Sequence, residues 1–198
     1  MRARCALLPS RPQVVPLDGL RPAAVLVPLF EEAGETRVIL TVRPTTMPTH
    51  RGEVALPGGK VDPTDESALV TALRETEEEI GLPRAAVDVV GALPVVATVV
   101  GAFSIQAYVG LLDGRPELAP DRHEVARVFD VSFSELLAEE TWREERWVEP
   151  AGERPVLFFE VAGETMWGAS ARLLANFLAH VTAVPAPADW FGLLPGEQ

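Results

Sequence analysis

The residues with the clearest chemical potential are the glutamates of the run RETEEE, residues 74–79. In a helix turning by about 100° per residue, Glu79 lies about 40° from Glu75, and Glu78 lies about 60° from it on the other side. These three carboxylates therefore share one helix face. Glu77 points elsewhere, at about 200° from Glu75, and is expected to face solvent.

Three carboxylates on one helix face repel each other, and each like-charge pair at i,i+4 costs a few tenths of a kcal/mol. A divalent hard cation would turn this repulsion into ligation, because Mg²⁺ prefers carboxylate, water and phosphate oxygens. Arg74 could orient one carboxylate through a two-pronged hydrogen bond. The spacing by itself leaves two interpretations open, a metal site and an acidic helix that is merely solvated.

The helix that carries these carboxylates is predicted to begin at Thr64 or Asp65 and to run to Ile80. Gly81 stands where a glycine commonly ends a helix. Before the helix, the turn at residues 57–59 (Pro-Gly-Gly) would allow the backbone to approach a phosphate group closely.

Strands are predicted before, between and after two main helices, which implies an α/β fold with a mixed sheet between helices. The predicted strands cover residues 23–30, 37–42, 53–56, 88–92, 95–100, 103–111, 124–130 and 156–161. A short helix is expected from Ser132 to Glu140, and a closing helix from Ala169 to Val181.

Composition bounds the class of protein. The 198 residues fit one domain at 21–183, with a lead-in at 1–20 and a Pro-rich tail at 184–198. The net charge of −12 argues against a nucleic-acid partner, because phosphate contacts need a basic surface. Cys5 is the single cysteine of the sequence and cannot form an internal disulfide, which suits a cytoplasmic protein.

Residues 89–112 form an uncharged stretch that is long enough to span a bilayer. However, Phe103, Ile105 and Ala107 alternate with polar side chains, which is the period of a strand. No basic cluster flanks the stretch to orient a membrane helix. We therefore expect buried strands here and no membrane partner.

The segment from Gly59 to Leu82 resembles the Nudix box, G-x5-E-x7-R-E-U-x-E-E-x-G-U, in which U is apolar. The matching residues are Gly59, Glu66, Arg74, Glu75, Thr76, Glu78, Glu79, Gly81 and Leu82. Two features depart from the pattern: six residues separate Gly59 from Glu66, and Thr76 occupies an apolar position. The resemblance implies a Nudix-type α/β/α sandwich that hydrolyses a pyrophosphate bond.

Roles for individual residues follow from this resemblance. Glu75, Glu78 and Glu79 would hold Mg²⁺ or Mn²⁺, and Glu124 is the candidate for a further metal ligand downstream of the box. Glu75 and Glu78 are also candidate catalytic residues, and Arg74 would orient the glutamates. The family varies in which carboxylate is the general base, so that assignment stays open. The metal would lower the pKa of the attacking water and neutralise charge on the phosphoryl oxygens.

The segment from Leu40 to Gly59 resembles the extra motif of the coenzyme A pyrophosphatase branch, roughly LLTxR(S/A)…R…G…FPGG. Pro44 follows the arginine where a small residue is usual, Pro48 stands where a second arginine is common, and Leu56 replaces Phe. The resemblance implies cleavage of coenzyme A (CoA) or acyl-CoA. A hydrolase of another nucleoside diphosphate derivative, such as ADP-ribose or NADH, is the alternative. A catalytically silent Nudix-fold binding module is a third hypothesis.

The candidate substrate-binding residues lie in or beside this motif. They are Arg43, His50, Gly58, Gly59 and Lys60. The expected partner is a small CoA-like nucleotide, and a homodimer is an open possibility.

Overall fold

In the computed structural model, residues 5, 8, 19–46, 51–98, 102–149 and 152–182 are described, and they form two β-sheets flanked by helices. The strands are β1 (Arg21–Glu32), β2 (Glu35–Val42), β3 (Val54–Ala55), β4 (Gly58–Lys60), β5 (Asp88–Ala92), β6 (Val96–Ala97), β7 (Phe103–Leu111), β8 (Arg127–Ser132), β9 (Trp142–Glu149), β10 (Gly152–Val161) and β11 (Glu164–Trp167). The helices are α1 (Ala68–Ile80), α2 (Phe133–Leu137) and α3 (Gly168–Thr182), and single 3₁₀ turns cover Arg84–Ala86 and Glu139–Thr141.

Strand β1 is the centre of the larger sheet. It runs parallel to β7 and antiparallel to β2 and β4, so the predicted mixed sheet is confirmed. Strands β3 and β8 pair with β2, and β5 and β6 pair with β7. The near-continuous apolar run of β1 fits this position, because a central strand is buried on both faces. Strands β9, β10 and β11 form the second sheet, which is antiparallel.

Two hydrophobic cores lie on opposite faces of the larger sheet. Leu26 and Phe30 of β1 share one core with Ile80 of α1. Val27 of β1 shares the other core with Phe177 of α3. Alternate residues of one strand therefore pack against different layers, as the two-residue period of a strand requires. The result is the expected α/β/α sandwich.

The largest local correction concerns the start of the carboxylate-bearing helix. Helix α1 begins at Ala68, and the Ser67 hydroxyl caps it by accepting a hydrogen bond from the Val70 N–H at 3.3 Å. The predicted start at Thr64 or Asp65 is wrong, because the Asp65 carboxylate is already engaged by Arg74. The predicted end is confirmed: Gly81 has φ +70° and donates its N–H to the Glu77 carbonyl.

Other elements differ in extent or were missed. The strand predicted at 124–130 begins only at Arg127, because residues 121–125 form a turn. The strand predicted at 95–100 covers Val96–Ala97, and residues 99 and 100 lie outside the described residues. Strands β9 and β11 were not predicted. Strand β9 contains mostly charged residues, so its sequence lacks the run of apolar and β-branched residues typical of a strand.

The uncharged stretch at 89–112 contains β5, β6 and β7, as expected for buried strands. Within the described residues, no helix is long and apolar enough to cross a membrane. In the lead-in, Cys5 is only 1% exposed and belongs to the core on the α3 side of the sheet. The division of the chain at residues 20 and 183 stays a prediction.

Candidate active site

Helix α1 presents its glutamates at graded depths. Glu79 is only 6% exposed, Glu75 is partly buried, and the Glu78 side chain is 54% exposed. Glu77 lies outside this group and pairs with Arg84 at 2.7 Å. Glu79, Glu75 and Glu78 therefore form a row of carboxylates that runs from the protein interior to the surface, and we call this row the carboxylate file.

Arg74 connects most of the charged side chains at this site. Its Nη1 lies 2.9 Å from a carboxylate oxygen of Glu75 and 2.9 Å from one of Glu78. Its Nε and Nη2 donate to the two oxygens of Asp65 at 3.0 and 2.9 Å. These hydrogen bonds, above all those to Asp65, raise the pKa of Arg74 above its ordinary value.

Asp65 is the site residue that the sequence reasoning missed. Its side chain is 4% exposed and accepts hydrogen bonds from Arg74, from the Thr71 hydroxyl at 2.7 Å and from the Asp62 N–H at 3.0 Å. The Arg74 hydrogen bonds hold the pKa of Asp65 far below its usual range. Glu66, which the box pattern places at this position, is exposed. The sequence signal is divided, because five residues separate Gly59 from Asp65 as the box requires, whereas the required seven residues before Arg74 fit Glu66.

The two glycines of β4 lie directly against the carboxylates. The Gly58 N–H donates to Glu79 Oε2 at 3.0 Å. A Cβ added at Gly59 would lie 2.4 Å from Glu75 Oε2, so only glycine leaves room for that carboxylate. These glycines were expected to approach a phosphate group. In the structure their contacts are with Glu75 and Glu79, and contact with a substrate stays a prediction.

Burial and like charge act together on the deepest glutamates. Burial raises the pKa of Glu79 to about 7, and the negative charges of Glu75 and Glu124 add to the rise. The hydrogen bond from the Gly58 N–H and the charge of Arg43 act in the opposite direction and lower this pKa. Burial also raises the pKa of Glu75, and the charges of Glu78 and Glu124 raise it further, whereas Arg74 lowers it. Glu124, on the turn before β8, therefore lies close enough to act on both helix carboxylates.

Arg43 follows β2 and brings a positive charge to the buried end of the file. It lowers the pKa of Glu79, which places it near that carboxylate. Its backbone is engaged, since its N–H donates to the Glu53 carbonyl and its carbonyl accepts from the Gly52 N–H. Its side-chain Nε is buried and has no hydrogen-bond partner among the described residues. A buried donor without an acceptor costs about 1–3 kcal/mol, so this atom is suited to a ligand oxygen.

Of the other predicted substrate contacts, the structure does not bring Lys60 to the carboxylates. Lys60 follows Gly59 in β4, so its side chain leaves the opposite face of the strand. Its Nζ lies 6.0 Å from the ring centroid of Phe103. His50 lies outside the described residues.

The carboxylate oxygens of these glutamates are suitable ligands for a hard divalent cation, although in this structure they accept hydrogen bonds from protein groups. Among the described residues, no three acidic, histidine or cysteine side chains converge as a preformed metal site. Glu75 and Glu78 are bound by Arg74, and Glu79 by Gly58. The donors are all carboxylate oxygens, and the raised pKa of Glu79 reports their mutual repulsion together with burial. Both properties suit Mg²⁺ or Mn²⁺.

The comparison with known families decides the class of protein. The family model described as the NUDIX domain matches residues 20–151. The chain belongs to the Nudix family. Nudix hydrolases act on phosphorus-containing anhydrides and generally need divalent metal ions.

Relatives are found in bacteria and plants. The chain is 35% identical to an uncharacterized Nudix hydrolase NudL of Photorhabdus laumondii over 83% of this chain and 87% of that protein. It is 44% identical to NudL of Cronobacter sakazakii over 59% of this chain, and the match spans 60% of that relative. It is 41% identical to the chloroplastic Nudix hydrolase 22 of Arabidopsis thaliana over 77% of this chain, which spans 52% of that relative.

Solved structures share the fold at low identity. A MutT/nudix family protein from Enterococcus faecalis has a TM-score of 0.57 at 17% identity, and the match covers 85% of this chain and 65% of that one. The Nudix hydrolase RenU from M. smegmatis has a TM-score of 0.56 at 20% identity, and the match covers 84% and 89%. These similarities show the Nudix fold of the chain.

Replacing Asp65 tests whether it positions Arg74. Asp65→Asn should destabilise the protein by about 3 kcal/mol, because it removes the most buried of the three charged partners of Arg74. It should also lower kcat, because Arg74 then no longer holds Glu75 and Glu78 in place. Urea unfolding and steady-state kinetics at saturating Mg²⁺ measure both effects. Glu66→Gln is the matched control and should change neither the stability nor kcat. If Glu66→Gln has the larger effect, Glu66 and not Asp65 positions Arg74.

The raised pKa of Glu79 predicts how the stability of the metal-free protein depends on pH. Between the ordinary value of 4.5 and about 7, the folded state binds more protons at Glu79 than the unfolded state does. The free energy of unfolding should therefore fall as the pH rises through this window, by up to roughly 3 kcal/mol. Glu79→Gln should remove this fall, so the variant should exceed the wild type in stability at pH 8 and lose its advantage toward pH 4.5.

Urea unfolding in EDTA at several pH values measures this difference. Glu77→Gln is the control, because Glu77 lies outside the carboxylate file. Parallel stability curves for the wild type and Glu79→Gln would contradict the raised pKa.

Proposed function

We propose that the chain is a divalent-metal-dependent pyrophosphohydrolase of CoA or acyl-CoA, producing 3′,5′-ADP and 4′-phosphopantetheine or its acylated form. The observation that supports pyrophosphate as the reacting group is Arg43, whose charge lowers the pKa of Glu79 and whose buried Nε has no hydrogen-bond partner in the described part of the chain. A phosphate oxygen of the substrate would supply the missing acceptor. The assignment to CoA rests on the resemblance of the segment from Leu40 to Gly59 to the coenzyme A pyrophosphatase motif.

In this proposal Glu75, Glu78 and Glu79 hold Mg²⁺ or Mn²⁺, and Glu124 completes the set. The bound ion would act as a Lewis acid on the phosphoryl oxygens and lower the pKa of the attacking water. One carboxylate of the file accepts the proton of that water. Binding of the ion would replace the contacts that Arg74 and Gly58 now make with the glutamates, and Asp65 would keep Arg74 beside them.

Arg43 would contact the scissile pyrophosphate, because it lies at the Glu79 end of the file. Gly58, Gly59 and His50 stay predicted substrate contacts. Lys60 projects from the opposite face of β4 and could reach only a part of the substrate remote from the pyrophosphate. A homodimer and a cytoplasmic location also stay predictions.

Conservative replacements test the metal-binding carboxylates. Glu78→Gln and Glu79→Gln should lower kcat by orders of magnitude, because an amide oxygen is a much poorer ligand for a hard cation than a carboxylate. The measurement is turnover at saturating Mg²⁺ or Mn²⁺, with circular dichroism to confirm folding. Glu77→Gln, on the same helix but paired with Arg84, should keep wild-type turnover. Near-normal kcat in both test variants would reject the assignment.

A substrate panel tests the assignment to CoA. Purified protein with Mg²⁺ or Mn²⁺ should hydrolyse CoA with higher kcat/KM than dephospho-CoA, ADP-ribose or NADH. Arg43→Ala should lower kcat/KM for all of these substrates by roughly ten- to a hundredfold, because it removes a charge-assisted contact to the shared pyrophosphate. Arg84→Ala, which removes an exposed arginine elsewhere, is the control. If kcat/KM for ADP-ribose or NADH equals or exceeds that for CoA, the assignment to CoA is rejected.

A further inference from the structure

A cleft of about 370 Å³ lies between residues 115–122 and strand β8, on the α1 side of the sheet. Phe30 and Ile39 lie buried beneath it, and Leu118 and Val128 are apolar side chains of its lining that are partly exposed. Three arginines, Arg115, Arg122 and Arg127, and one carboxylate, Asp130, line the remainder together with neighbouring apolar residues. The volume lies in the range of small-molecule sites in proteins.

Two of the three arginines are held by ion pairs and aromatic rings. Arg115 pairs with Glu32 at 2.6 Å and with Asp130 at 2.7 Å, and its guanidinium lies 4.9 Å from the Phe30 ring centroid. Arg127 pairs with Glu164 at 3.1 Å and lies 4.9 Å from the Phe129 ring centroid. These contacts offset their charges and fix the walls of the cleft.

The third arginine carries a charge that is not offset in this way. Arg122 donates to the Ala126 carbonyl at 3.3 Å, and it has no carboxylate partner among the described residues. Asp130, the carboxylate of the cleft, is bound by both Arg37 and Arg115. Arg122 therefore brings to the cleft a positive charge that no carboxylate of the described residues pairs with.

The turn that lines the cleft contacts the helix that carries the carboxylates. The Asp121 N–H donates to the Glu79 carbonyl at 3.0 Å, which ties this turn to the end of α1. Glu124 acts electrostatically on Glu75 and Glu79. Arg122 precedes Glu124 by two residues, so their Cα atoms lie at most about 7 Å apart. A ligand could thus occupy the cleft while its pyrophosphate lies at the carboxylates.

We propose that this cleft binds the phosphorylated nucleoside half of the substrate, and that Arg122 contacts a phosphate that is not cleaved. The partly exposed Leu118 and Val128 offer apolar surface to a nucleobase, and a guanidinium presents a planar fork that matches phosphate oxygens. This inference rests on the proposed function and adds a specificity-determining residue to it. For CoA, the phosphate in question is the one on the 3′ carbon of the ribose.

Binding of two nucleotides to the full chain tests the cleft separately from catalysis. The probes are 3′,5′-ADP and 5′-AMP, which have no pyrophosphate bond to hydrolyse, and isothermal titration calorimetry with Mg²⁺ measures both Kd values. The wild type should bind 3′,5′-ADP roughly ten- to a hundredfold more tightly than 5′-AMP. In Arg122→Ala this preference should disappear, while the Kd for 5′-AMP stays unchanged. Arg84→Ala is the matched control and should keep the preference.

The outcomes separate the cleft from the proposed function. If the wild type binds the two nucleotides equally, or if Arg122→Ala keeps the full preference, Arg122 does not bind the 3′-phosphate. Either result would overturn the proposed site even if CoA is hydrolysed. Conversely, a preference lost in Arg122→Ala would support the proposed 3′-phosphate site even if the substrate panel shows that CoA is not the preferred substrate. Arg122→Lys should keep part of the preference, because it retains the charge without the fork.

Discussion

Repulsion among the carboxylates that α1 holds against β4 is the constraint on which the rest of the site depends. Glu75 and Glu78 both contact Arg74, and Glu79 is buried against β4, where it accepts from the Gly58 N–H. Burial and like charge raise the pKa of Glu79 to about 7, which shows that this arrangement costs free energy. Opposing charge from neighbouring groups lowers this cost, and the proposed divalent cation would lower it further.

The protein answers this repulsion with few groups. Arg74 contacts two of the glutamates and is itself held by Asp65, so a single guanidinium fixes the exposed half of the file. The Gly58 N–H and Arg43 act on the buried half. Gly59 supplies space instead of charge, since any side chain there would overlap the Glu75 carboxylate.

Positive charge for an anionic substrate is scarce in so acidic a chain, and its placement carries information. Arg43 lies at the buried end of the file, whereas Arg122 lies on the turn that carries Glu124. The two arginines thus flank the carboxylates from different elements. The proposed division of labour follows: Arg43 serves the pyrophosphate common to many nucleotides, and Arg122 serves the phosphate that distinguishes one substrate from another.

The sequence by itself determined the shared carboxylate face, the Gly81 helix end and the mixed sheet, because these follow from local periodicity and turn chemistry. It did not determine which acid holds Arg74. Glu66 and Asp65 are adjacent and chemically alike, and only the folded chain buries Asp65 beside Thr71 and exposes Glu66. Likewise, Lys60 is next to Gly59 in sequence, yet the alternation of β4 within the sheet sends it to the opposite face. The cleft beside Arg122 depends on strand pairing between distant segments, which no local pattern encodes.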